Sequence, residues 1–300
     1  MEKPDNLEPK VSAILSQTNE VRIKYIFKDK WIAYTAAKVL LIEIENLLKV
    51  PDRQRKKFLL IEGKSGNGKT TLLEHFYDQH LPSRSCGNLI SPVLLIEGPS
   101  GPSVDEFYAN ILGKLGSPIA STTVNKKLQL KKLLPQVDAK LLMIDNFHDF
   151  KYGNSNLRMK FIAAVRKLCT EMKLAMVATA TYIARNVISR DAQMHTRFTF
   201  RTLPVWKFDN DYLNLLSAFE RILPLKKKSS LTNEKLALKI LKMSDGVLGN
   251  VEEILQEAAQ MAIETGKERI DEDILKGIPF NRKHEPQPIE KTEYTDEYIR

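Results

Sequence analysis

The stretch FLLIEGKSGNGKT, residues 58–70, decides the fold. Its first five residues form an apolar run closed by Glu62, the pattern of a buried strand. Gly63-Lys64-Ser65-Gly66-Asn67-Gly68-Lys69-Thr70 then satisfies G-x-x-x-x-G-K-[ST]. A helical pattern over 69–79 starts inside the motif. Strand, glycine-rich turn and helix come in the order that phosphate binding requires. Glycines let successive backbone N–H groups curl around an anion without a Cβ clash, and the helix N-terminus adds its positive end. In such a turn Lys69 reaches the β- and γ-phosphates and the Thr70 hydroxyl ligates Mg²⁺. The eight motif residues and the adjoining Thr71 are therefore the candidate nucleotide contacts, with ATP and Mg²⁺ as the expected ligands.

Outward from this turn, short apolar runs alternate with helical ones. Strands are expected at Phe58–Glu62, Val93–Glu97, Leu141–Asp145, 175–179 and 198–203. Helices are expected at 31–48 (ended by Pro51), 104–115, 126–134, 156–170 and 183–189. Ser103 and Glu106 form a capping box at the start of the second of these. The alternation predicts an α/β fold with a parallel sheet between helix layers. After Pro204 only helical patterns remain, at 209–223, 233–243, 251–264 and 272–275, which predicts an all-helical subdomain. The expected organisation is a flexible arm over 1–21, a nucleotide-binding domain over 22–204, a helical lid over 205–279 and a disordered tail over 280–300.

Leu141-Leu142-Met143-Ile144-Asp145 is an apolar strand ending in an acid, which places Asp145 beside the phosphate turn as a second Mg²⁺-side group. The next residue is Asn146, where many P-loop ATPases have Glu. An amide hydrogen-bonds water but takes no proton. His148 and Asp149 lie nearby, and neither is assignable as a substitute base.

Composition agrees with a folded chain. A hydrophobic share of 43% supplies a core, which excludes wholesale disorder, and no apolar run is long enough to span a membrane. The N-terminus leads into no apolar signal core, so a cytoplasmic location is expected. Cys86 and Cys169 are far apart and read as reduced, packed thiols. The net charge of +9 suits a polyanion partner. Basic clusters lie at Arg53, Arg55, Lys56, Lys57; at Lys126, Lys127, Lys131, Lys132; and at Lys226, Lys227, Lys228.

The stretch RIKYIFKDKWIAYTAAKVLLIEIENLLKVPDRQRKKFLLIEGKSGNGKTTL (22–72) resembles the opening of the TniB family, transposition ATPases of the AAA+ superfamily related to the TnsC proteins. PSVDEFYANILGKLGSPI (102–119), VATATYIARNVISRDAQMHTRF (177–198), LPVWKFDNDYLNLLSAFERILPL (203–225) and SDGVLGNVEEILQEAA (244–259) extend the resemblance, in order, to about residue 271. It implies an AAA+ domain with a helical lid. Thr181 would be the sensor-1 group, with Thr179 as runner-up, and Arg197 the finger inserted into a neighbouring subunit's site. ATP would then sit between protomers of a homo-oligomer, a ring or a filament. The resemblance also implies duplex DNA, a DDE transposase and a TniQ-like target-selection adaptor as partners, and association with the bacterial nucleoid when on DNA. Thr122, Thr123, Lys126, Lys127 and Lys151 fall in regions that face DNA in related proteins, and Trp31 and Tyr34 where AAA+ chains often wall the adenine.

Two departures stand out. The family usually has Glu at the place of Asn146, and Asn250 stands near Gly249 where many AAA+ lids carry Arg. Both weaken contact with the γ-phosphate, so ATP-dependent assembly with weak turnover is expected. A general AAA+ DNA-metabolism factor of helicase-loader or initiator type, and a non-hydrolysing nucleotide-gated scaffold, are the rival readings.

Overall fold

A computed structural model describes residues 7–50, 56–85, 87–147, 154–182, 185, 188 and 196–278. Five strands, β1 (Phe58–Glu62), β4 (Val93–Glu97), β5 (Leu141–Asp145), β6 (Ala175–Ala180) and β7 (Phe198–Thr202), form one sheet in the order β4-β5-β6-β1-β7. Every neighbouring pair is parallel. Two short strands, β2 (Ser83–Ser85) and β3 (Asn88–Ile90), pair antiparallel as a separate exposed hairpin.

The near-continuous apolar runs have a physical cause, since both faces of the sheet are covered. Leu60, Leu94, Leu142 and Met176 pack on Phe107 of α5 (Val104–Lys114), Leu130 of α6 (Thr123–Gln136) and Phe161 of α7 (Ser155–Glu171). Their odd-numbered or alternating neighbours Leu59, Ile61, Leu141, Met143 and Val177 face Leu40 of α3 (Thr35–Lys49) and Leu72 of α4 (Lys69–Asp78). Successive strand side chains point to opposite faces, so one run of five residues feeds two cores. Cys169 lies in the first core, and burial pushes its thiol up to about 12, so it stays protonated. Cys86 lies outside the described residues, as do Arg53, Arg55, His148, Asp149 and Lys151 and most of the helix expected at 183–189.

A third core builds the lid from α8 (Asn210–Ile222), α9 (Glu234–Ser244), α10 (Leu248–Glu264) and α11 (Glu272–Gly277). Among the described residues no helix is long and apolar enough to cross a membrane.

Over the described residues 7–21 the expected flexible arm is replaced by helical structure. Residues 9–14 and 19–26 form helices α1 (Pro9–Ile14) and α2 (Asn19–Ile26), and Ile26 belongs to the lid core. Val11 is fully buried, and the Glu8 amide donates to the Arg221 carbonyl of α8 (3.1 Å). Arg22 is fully buried as well. Its guanidinium donates to the Pro224 carbonyl (2.7 and 3.2 Å), to Asn19 Oδ1 (3.0 Å) and to both carboxylate oxygens of Glu268. The arginine buried here finds its Pro224 and Glu268 partners more than two hundred residues along the chain, a pairing that no local pattern signals.

Candidate functional site

β1 ends at Glu62 and the chain turns through the glycine motif at the carboxyl edge of the sheet, where ligands bind in open α/β folds. Gly66 and Gly68 take left-handed φ values of +72° and +78°. A Cβ on Gly68 would lie 3.1 Å from Leu248 of the lid, so glycine serves both the turn and the close approach. Gly68 is also the N-cap of α4, and no side chain caps it. The first-turn amides of α4 are left for an anion.

Two motif side chains, Lys69 and Thr70, converge with Asp145, joined by Thr179 of β6. Lys69 is buried and donates to the loop's own carbonyls, Gly63 (2.9 Å) and Lys64 (2.7 Å). Burial pulls its ammonium below the ordinary lysine value, and the Asp145 carboxylate partly offsets that. Thr70 Oγ1 donates to Asp145 Oδ2 (2.6 Å), and the Thr179 hydroxyl donates to Asp145 Oδ1. A hydroxyl and a carboxylate in contact beside a phosphate turn are a hard-oxygen set that suits Mg²⁺. Thr181 lies one residue past the end of β6, and its buried Oγ1 has no hydrogen-bond partner among the described residues. The donor set and that unpartnered hydroxyl fit a nucleotide with Mg²⁺.

A cleft of about 230 Å³ opens beside this turn. Residues 65–71 line one wall and Phe219, Leu248, Gly249 and Glu252 of the lid line another, while Lys30, Trp31, Ile32 and Tyr34 contribute from the chain ahead of β1. Trp31 stacks flat on His75 of α4, with ring centroids 4.0 Å apart. Lys30 is held by the carbonyls of Tyr25 (2.6 Å) and Ile26 (2.9 Å). Burial raises the Glu252 carboxyl, with the nearby Lys30 charge opposing it.

Asn67 does more than sit in the turn. Its side chain is buried and donates to the carbonyls of Leu203 (3.0 Å) and Pro204 (2.9 Å), and its Oδ1 accepts from the Leu248 amide (3.3 Å). Beside it the Gly249 amide donates to the Gly66 carbonyl (2.8 Å). The phosphate turn, the exit of β7 and the first turn of α10 are thus joined. A Cβ on Gly249 would lie 2.8 Å from the Gly66 carbonyl oxygen, closer than real Cβ atoms come. Gly249→Ala should therefore force the lid off the turn and destabilise the chain by about 1–3 kcal/mol. Urea unfolding checks this, and an unchanged midpoint would show that the lid is not seated here.

Arg197 is not brought to this cleft. It precedes β7, where its carbonyl accepts from the Phe58 amide (3.0 Å), so it lies at the opposite end of the strands from Gly63. A five-residue strand spans about 17 Å. Its guanidinium donates to Thr170 Oγ1 (2.8 Å) and lies over the Phe58 ring.

The expected DNA-facing set on α6 is largely occupied within the chain. Thr122 caps the helix through the Asn125 amide (3.2 Å), and Thr123 Oγ1 donates to Asp105 Oδ1 (2.7 Å). Lys126 is buried and ion-paired with Asp105 at 2.5 Å. Lys127 shares Glu171 with Lys131, at 3.4 and 2.9 Å.

Two acids at the same sheet edge escaped the sequence reading. Glu62 is buried and paired with Arg185 (2.7 and 3.1 Å); burial raises its carboxyl and the guanidinium limits the rise. Glu97 accepts from Asn146 Nδ2 (2.7 Å). Their signal was present, since β1 and β4 end in an acid as β5 does.

The sequence matches the family described as "Bacterial TniB protein" over residues 22–208. A comparison with curated proteins finds no match. Among solved structures, the Aeropyrum pernix ORC2 protein in its ADPNP-ADP complexes is similar at a TM-score of 0.61 and 15% identity, over 84% of this chain and 70% of that one. Cdc6p from Pyrobaculum aerophilum is similar at 0.59 and 15%, over 85% and 74%. Drosophila ORC bound to DNA is similar at 0.58 and 13%, over 92% and 68%. At these identities the likeness is one of fold, the AAA+ fold.

Proposed function

Because the chain belongs to the TniB family, we propose that it is an ATP-binding regulator of DNA transposition that assembles on duplex DNA when ATP-loaded. The observation that carries this reading is the convergence of Lys69, Thr70 and Asp145 at a cleft closed by the lid. Lys69 exchanges its loop carbonyls for β- and γ-phosphate oxygens. Thr70 and Asp145 hold Mg²⁺, which supplies charge neutralisation on the phosphates. Thr181 offers its unpartnered hydroxyl, and Trp31, Ile32 and Tyr34 with the lid enclose the base side of the cleft. By the family resemblance, Arg197 would serve the site of a neighbouring copy, which would make the nucleotide a bond between protomers of a ring or filament. The loaded oligomer marks a target site for a DDE transposase and a TniQ-like adaptor.

Electron microscopy of the chain with random-sequence duplex in ATP, ADP or a non-hydrolysable analogue tests this. Assemblies on DNA are expected with ATP and the analogue and not with ADP. Single particles under all three conditions would overturn the reading. Of the α6 basic residues, Lys127 is the one proposed to touch phosphate. Lys127→Ala should weaken binding to all sequences alike and reduce the salt slope by about one. Filter binding at several salt concentrations checks it, and unchanged binding removes α6 from the DNA face.

A further inference from the structure

The Asn146 departure has a structural counterpart on the neighbouring strand. β4 and β5 run in parallel register with Glu97 opposite Asp145. The chain leaves both strands tightly: the Gly98 amide donates to the Asp145 carbonyl (2.7 Å), and a Cβ on Gly98 would lie 2.9 Å from the Asn146 carbonyl oxygen. Asn110 Nδ2 donates to the Glu97 carbonyl (3.2 Å), so the Glu97 backbone is held from a second side. Asn146 has a left-handed φ of +52°, and its amide donates to Thr179 Oγ1 (3.1 Å). That conformation aims its side chain across to Glu97 Oε1, at 2.7 Å.

Asn146 lines the cleft with Lys69 and Thr70. The Glu97 carboxylate is one hydrogen bond behind it, is solvent-exposed, and among the described residues makes no ion pair. Asp145 is committed otherwise, since each of its oxygens accepts a threonine hydroxyl. Glu252 lies across the cleft on the lid, beside Lys30. Of the acids that end β1, β4 and β5, Glu62 is ion-paired with Arg185 and Asp145 accepts two threonine hydroxyls, whereas the Glu97 carboxylate is exposed and, among the described residues, accepts from the Asn146 side chain alone.

We propose that Glu97 is the catalytic base of ATP hydrolysis in this chain, and that Asn146 is its positioning residue. The carboxylate stands at the end of β4 and the amide that holds it follows Asp145 at the end of β5. In the step, a water oxygen bonds to the γ-phosphorus while one of its protons passes to Glu97. The bond from that phosphorus to the β–γ bridging oxygen breaks, its electron pair leaves with ADP, and Glu97 returns the proton to solvent through its exposed side. This rests on the nucleotide reading above.

The test measures phosphate release together with affinity for a fluorescent ATP analogue. Glu97→Gln keeps the shape and removes the base. Its kcat should fall by about 100-fold or more, with KM and analogue affinity within about twofold of wild type. The double variant Glu97→Asn with Asn146→Glu puts the carboxylate on β5 and keeps the cross-strand hydrogen bond. It should recover at least about tenfold over Glu97→Gln, which a structural role for Glu97 would not allow. Wild-type-like turnover in Glu97→Gln, or loss of analogue affinity in step with turnover, overturns the proposal. So does a wild-type chain that binds the analogue and releases no phosphate, while the nucleotide reading survives. A wild-type chain that fails to bind the analogue overturns both.

Discussion

Arg22→Ala should destabilise the fold by about 3–5 kcal/mol, because it leaves the largely buried Glu268 carboxylate and the Pro224 carbonyl without their donor. For a chain of this size that is a fall of roughly 2–4 °C in melting temperature per kcal/mol. Burial alone would raise the Glu268 carboxyl, but Arg22's hydrogen bonds and charge outweigh it and hold it below the ordinary value. A carboxyl depressed by folding stabilises above its unfolded pKa, and that contribution fades as pH falls through the folded value. The difference in melting temperature between wild type and Arg22→Ala should therefore be full at neutral pH and shrink below the usual carboxylate range. Calorimetry at several pH values checks both parts. A loss under about 1 kcal/mol would mean that α2 is an appendage and not a lid element.

Lys69→Ala should lower ATP affinity by about 30-fold to several thousand-fold. Truncating one partner of a desolvated charge pair costs about 2–5 kcal/mol or more. The fold should barely notice. Burial already disfavours the ammonium, so its removal relieves a desolvation cost while giving up two hydrogen bonds to loop carbonyls. Equilibrium titration with a fluorescent ATP analogue, paired with urea unfolding, separates the two effects. Retained affinity would refute the assignment of the glycine turn as the phosphate site. Loss of affinity with a collapsed urea midpoint would mark Lys69 as structural.

The sheet and its phosphate turn were legible because their signals are local. FLLIE, VLLIE and LLMID are apolar runs of strand length, and the glycine motif fixes the turn that follows the first. The hairpin of β2 and β3 was not legible, since three-residue exposed strands such as SRS carry no hydrophobic pattern. The positions of Arg22 and Lys126 were hidden for a different reason. Hydropathy assigns a cation to the surface, and only a partner brought close by the fold, Glu268 or Asp105, makes burial tolerable. Asp145 was found through its motif. Glu97 needed the register of β4 against β5, and the interplay of Asn146 with it was invisible along the chain. Thr181 and Arg197 are named by resemblance, and the structure adds an unpartnered hydroxyl for one and a place at the far sheet edge for the other.

Asn67 holds the outlet of β7 and the start of α10 in the same two side-chain atoms that neighbour the glycine turn. The turn is thus bonded to the start of α10, and the Arg22–Glu268 pair bonds the segment after α10 to α2. Under the proposed function, a γ-phosphate bound at this turn would therefore sit on a loop wired by hydrogen bonds to the lid and, beyond it, to the helices at the front of the chain.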